Sequence, residues 1–115
     1  MKLLTKEIEK SFAKVGRQED VNNPKVIAKF FCPWGAATWW ATEYDPSDKI
    51  FFGFAYLGDE DCAELGSFSL EELQSVRGPF HLTIERDLGF KGGTTTMREA
   101  LENHGLTRAA QFFNR

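Results

Sequence analysis

Carboxylates dominate the side chains of this sequence that could do chemistry, and they are bunched. Between Glu43 and Glu72, nine acidic residues stand against one base, Lys49, a formal −8 inside a chain whose total is −3. The tightest group is the turn Asp59-Glu60-Asp61, with Glu64 just beyond it. Oxygen-rich loops bind calcium or magnesium when acids alternate along a glycine-containing loop closed by a bidentate Glu, and that alternation is missing here. The spacing fits a solvated loop tip or a surface for a basic partner, and no metal is expected. A second set, Glu43, His81 and Glu85, could share acid–base work if the fold brought it to one cleft. The neighbours of Glu85, Arg86 and Asp87, fit an ion-pair network equally well. His104 falls on the apolar face of a helix near its C-terminus, where an imidazole complements the helix dipole. Cys32 has no neighbouring base or helix N-terminus to make it a nucleophile. No zinc-type Cys/His spacing, nucleophile elbow, phosphate loop or dinucleotide fingerprint occurs, so neither a catalytic set nor a cofactor is expected.

Aromatic residues overlap the acidic stretch: ten of sixteen lie between Phe30 and Tyr56. Trp34, Trp39, Trp40 and Tyr44 could stack bases, but Glu43, Asp45 and Asp48 surround them where such platforms carry Lys and Arg. Core packing is the simpler expectation for most of them. Trp34, in the turn Cys32-Pro33-Trp34-Gly35, is the ring expected to be most exposed and hence an interface anchor. Basic residues gather near the N-terminus, where Lys6, Lys10 and Lys14 recur every four residues between Lys2 and Arg17. Such a row would serve a nucleic-acid contact or simply a solvated helix face opposite Ile8 and Phe12.

The elements that must position these residues follow from the apolar pattern. Thr5 caps a helix over Lys6–Val15 that Gly16 ends. Asn22-Asn23-Pro24 is a turn. Three β-favouring runs follow, Lys25–Phe31, Ala37–Tyr44 and Ile50–Leu57, with a shorter one at Ala63–Phe68; their short connections predict an antiparallel meander. Both faces of Ile50–Leu57 are apolar, as in a central strand covered on both sides. Strict alternation along Ala37–Tyr44 places Ala37, Trp39 and Ala41 on one face, and Thr38, Trp40, Thr42 and Tyr44 on the other. Capping boxes at Ser69–Glu72 and Thr96–Glu99 open two helices, the first ending near Val76 and the second before Gly105. A short strand at His81–Glu85 and a docked helix within Leu106–Arg115 complete the chain. The expected fold is one α+β domain over residues 1–115: an antiparallel sheet of about four strands flanked by an N-terminal helix and C-terminal helices. In a meander, successive turns lie at opposite sheet ends. The −8 therefore divides into two clusters, with an acidic pole near Asp59–Glu64.

Composition agrees with a soluble protein: 42% hydrophobic and 27% charged residues over 115 positions suffice for a real core. No apolar run approaches a membrane span, and the N-terminus lacks an apolar leader, so a cytoplasmic location is expected. Cys32 and Cys62 are then expected to be free thiols, buried or half-buried. A sequence pI near 5.4 disfavours sequence-independent binding to nucleic acid.

Several short motifs occur in a recognisable order: Leu3-Leu4-Thr5-Lys6-Glu7, Ala28-Lys29-Phe30-Phe31, Trp39-Trp40-Ala41-Thr42-Glu43, Phe51-Phe52-Gly53, Gly66-Ser67-Phe68-Ser69-Leu70, Glu72-Leu73, Arg77-Gly78-Pro79 and Ile84-Glu85-Arg86-Asp87. Over about residues 3–90 this resembles domain-of-unknown-function family 2958. The resemblance implies a small bacterial protein carried on plasmids, conjugative elements and prophages, and it implies no activity. Together the readings lead to a non-enzymatic protein-interaction module. Trp34, Glu43, Asp45, Asp59, Glu60, Asp61 and Glu64 would engage a basic surface, such as that of a host defence or DNA-binding protein that the module inhibits. The alternatives are a nucleic-acid-binding accessory protein, using the basic helix and the sheet aromatics, and a small enzyme built on Glu43, His81 and Glu85.

Overall fold

The computed structural model describes residues 1–113; the end of the expected tail, Asn114 and Arg115, lies outside them. Helix α1 (Lys6–Val15) is capped as its sequence requires: the Ile8 amide donates to Thr5 Oγ1, and Gly16, at φ +73°, donates to the Phe12 carbonyl. Strands β1 (Lys25–Val26), β2 (Ala28–Phe31), β3 (Thr38–Asp45), β4 (Ile50–Tyr56) and β5 (Glu64–Ser69) follow, then α2 (Leu70–Ser75), β6 (Glu85–Arg86), β7 (Thr95–Thr96), α3 (Met97–Asn103) and α4 (Thr107–Ala110). Thr96 and Glu99 form the expected reciprocal capping box. At α2 Ser69 caps the Glu72 amide.

Five strands form an antiparallel sheet in the order β5-β4-β3-β2-β6, so the meander gains a two-residue fifth strand at the β2 edge. The run expected as one strand, Lys25–Phe31, divides at Ile27: β1 leaves the main sheet and pairs with β7. Gly92 makes this possible, because a Cβ there would lie 2.0 Å from the Ile27 carbonyl oxygen. The expected strand at His81–Glu85 is displaced. Phe80 and His81 adopt positive φ in a 3-10 turn, and pairing with β2 begins only at Glu85.

Helices cover both faces of the sheet, as the doubly apolar β4 requires. On one face, α1, α2 and the N-terminal Leu3 pack on Phe30, Ala41 and Phe51. On the other, α3, α4 and Phe113 pack on Trp40 and Phe54. A bulge between Ala41 and Glu43 corrects the alternation read from the sequence. The extra residue turns Tyr44 away from the Trp40 face and onto Phe12 and Phe51, with ring centroids 5.9 and 4.9 Å apart respectively. It also turns Glu43 onto the face that carries Phe52.

Candidate functional site

The acidic residues do separate to the two ends of β4, and the two ends are built differently. At the Asp59–Glu64 end the carboxylates are engaged within the chain. Asp59 Oδ1 accepts from the Asp61 amide at 2.9 Å. Glu60 Oε2 accepts from the Ala109 amide at 2.9 Å, and Arg108 reaches Glu60 at 3.6 Å and Asp61 at 2.9 Å. The expected free acidic pole is thus largely a clasp that ties α4 to the sheet, because helix α4 brings an arginine to it. Cys62 lies exposed in this clasp rather than buried, and the charge and hydrogen bond of Asp59 push its thiol pKa up. Glu64 remains exposed at the start of β5.

At the opposite end the acids face solvent and apolar surface. Asp45 Oδ1 accepts from the Ser47 amide at 2.9 Å and shapes the turn. Lys49, at φ +56°, offers its carbonyl to the Leu70 amide at 3.0 Å, which sets the start of α2, with Glu71 and Glu72, beside that turn. Glu43 is half-buried and accepts from the Gln18 amide at 3.0 Å. Glu43, Tyr44, Asp45, Asp48, Phe52 and Ser67 line a cavity of about 530 Å³. Glu43 and Phe52 are shared with an adjoining groove of about 430 Å³, whose walls include Glu19, Val21, Leu65 and Phe112. Four large apolar side chains there are open to solvent: Val21 at 49%, Phe52 at 38%, Leu65 at 45% and Phe112 at 82%. This is the part of the sheet face that α3 and α4 leave uncovered, and Glu19, Glu43, Asp45 and Asp48 rim it against one base, Arg17, which pairs with Glu19.

The other candidate residues separate. Glu43 lines two cavities that neither His81 nor Glu85 lines, so the three do not form one acid–base site. Trp34 is half-buried, not open: its ring lies on Gly78, where a Cβ would come within 2.5 Å of it, and it packs on the core. The most exposed ring is Phe80, at 94%. Trp39, Trp40 and Tyr44 are likewise packed into the two cores, so these three rings do not form an open base-stacking platform. Lys6, Lys10 and Lys14 are exposed on α1, opposite the buried Phe12. His104, still open to solvent, closes α3 edge-on to Trp40 at 5.1 Å, and partial desolvation there, followed by the charge of Lys29, lowers its pKa from the ordinary imidazole value. It lines a separate cavity with Lys29, Cys32, Tyr56 and Asp87. Among the described residues, no three His, Cys, Asp or Glu side chains converge as metal ligands, and no helix is long and apolar enough to cross a membrane.

A family model described as protein of unknown function (DUF2958) matches residues 3–104. The chain belongs to this family. The DUF2958 match runs past the motif-bearing stretch and takes in α3. Most of the acidic-apolar groove, from Val21 through Glu43, Asp45 and Phe52 to Leu65, lies inside the DUF2958 segment, whereas Arg108 and Phe112 lie beyond it. No curated protein and no solved structure matches the chain.

Two features of the site carried no short-range sequence pattern. Gln18 is 7% exposed and joins the Arg17–Pro24 loop to β1 and β3 through Lys25 and Thr42. Phe112 reaches the groove only because α4 docks. The sequence signal that overlapped this groove was the coincidence of the acidic and aromatic stretches around Glu43, although the acidic pole was expected at Asp59–Glu64.

Proposed function

We propose that this chain is a protein-interaction module whose acidic-apolar groove takes a basic, apolar segment of a partner protein. The observation that supports this is the continuity of the two cavities through Glu43 and Phe52, which sets four exposed apolar side chains beside an acidic rim. Apolar surface in contiguous patches marks interaction sites, and the rim selects for positive charge and speeds encounter. In the reading that the family resemblance motivates, the chain acts for a mobile genetic element, and its partner is a host defence or DNA-binding protein inhibited through its basic surface. Mimicry of a nucleic-acid strand is the weaker version. The acids sit at two ends of β4, roughly 20 Å apart by strand rise, and one end is engaged by Arg108.

A peptide of about eight residues alternating Lys and Val is a direct probe by titration calorimetry. Binding is expected, and reversing Asp45 and Asp48 to Lys together weakens it by roughly tenfold. Reversing Asp59 and Asp61 leaves it within about twofold. Binding indifferent to Asp45 and Asp48 but lost on changing Asp59 and Asp61 would place the partner on the wrong end of the molecule.

A further inference from the structure

Strand β5 forms an edge of the five-stranded sheet. The Phe52 carbonyl accepts the Thr42 hydroxyl at 3.1 Å, on the β3 side. By strand alternation, Phe51, Gly53 and Ala55 then turn their main-chain groups toward β5. Their register partners Phe68, Gly66 and Glu64 bond inward, which leaves the N–H and C=O of Leu65 and Ser67 along the open edge. Among the described residues, no other segment supplies a main-chain partner to either. Sheet edges are normally blunted by lysine, proline, a bulge, extreme shortness or a covering element. Glu64–Ser69 has six residues without lysine or proline, in unbroken register with β4. The opposite edge is protected by the two-residue length of β6.

The open edge runs along the groove. Leu65 lines its apolar part and Ser67 its acidic part. A strand laid against β5 would alternate its side chains between the two sheet faces, and one set would stand beside Phe52, Glu43 and Asp45. A second copy of this chain would bring the same acidic groups to that face, whereas a basic strand complements them.

We propose that β5 accepts an added strand: an extended partner segment in which Lys or Arg alternates with apolar residues, continuing the sheet by main-chain hydrogen bonds. This rests on the groove being the partner site and specifies how the partner sits in it.

The test uses the intact protein and the Lys–Val peptide in three forms: unmodified, N-methylated on the Val residues, and N-methylated on the Lys residues. A single register is expected to make one methylated form bind roughly tenfold more weakly, since its blocked amides face β5, while the other binds nearly as well as the parent. Hydrogen exchange at the Leu65 and Ser67 amides is expected to slow by about tenfold or more when the unmodified peptide is bound. If the peptide binds but those amides exchange as before, or both methylated forms match the parent, strand addition is wrong and the groove reading stands. If no form binds, both are wrong. A dimer joined through β5 in the free protein, detected by sedimentation and by slowed exchange at Leu65 and Ser67, would replace the basic partner with a second copy.

Discussion

Gln18 shows how much of this fold can rest on one polar side chain. Its Nε2 donates to the carbonyls of Lys25 at 2.8 Å and Thr42 at 2.9 Å, and its Oε1 accepts from the Lys25 amide at 2.7 Å. Its own amide donates to Glu43, so the same residue braces the loop that walls the groove and holds the carboxylate at its centre. Gln18→Leu would fill the space yet strand three main-chain groups in a largely buried setting. The expected loss is about 3 kcal/mol of stability, from unmet hydrogen bonds at roughly 1–3 kcal/mol each. Urea denaturation would read this as a lower midpoint. A midpoint equal to that of the native chain would mean that water replaces the amide at no cost.

At the scale of elements, α4 is the least self-sufficient part. Four residues cannot form a stable helix alone, and α4 stays in place through Ala109, Ala110 and Phe113 in the core and through the Glu60 clasp. Glu60→Ala removes the acceptor of the Ala109 amide and one partner of Arg108 while leaving Asp61. The expected result is a local opening of α4, costing about 1–2 kcal/mol. It would appear as faster hydrogen exchange at Ala109 and Ala110, with β3 and β4 unchanged. Because Phe112 follows directly, the same change would loosen one wall of the groove. Uniform loss of protection across the chain would instead make α4 part of the global folding unit. Gly53 matters in a different way: a Cβ there would lie 1.9 Å from the Trp40 carbonyl oxygen, so the bulged crossing of β3 and β4 requires glycine at that point.

For the whole molecule, a modest net charge of −3 conceals a divided one. Each end sets four acids against one arginine: Arg108 pairs with Glu60 and Asp61 at the clasped end, whereas Arg17 pairs with Glu19 at the groove and leaves Glu43, Asp45 and Asp48 without an ion pair among the described residues. Encounter with a basic partner should therefore depend on ionic strength. Association of the Lys–Val peptide is expected to slow by about tenfold between roughly 50 and 500 mM salt, with a smaller change in dissociation rate. Stopped-flow measurement separates the two rates. An association rate insensitive to salt would leave only apolar contact to explain binding.

The local elements were legible in the amino-acid order alone, because their causes are local. Thr5, Ser69 and Thr96 cap helices at the expected positions, Gly16 ends α1, and the apolar runs broken by short turns become an antiparallel sheet covered on both faces. The separation of acids to the ends of β4 was legible for the same reason. Other features arise only when separate segments of the chain meet in the fold. The bulge at Thr42 set the faces of Glu43 and Tyr44, Gly78 covered Trp34, and Arg108 engaged the acids at Asp59–Asp61. Each of those outcomes is a contact between segments, fixed by packing and charge pairing across the fold, which no periodicity within a single segment encodes.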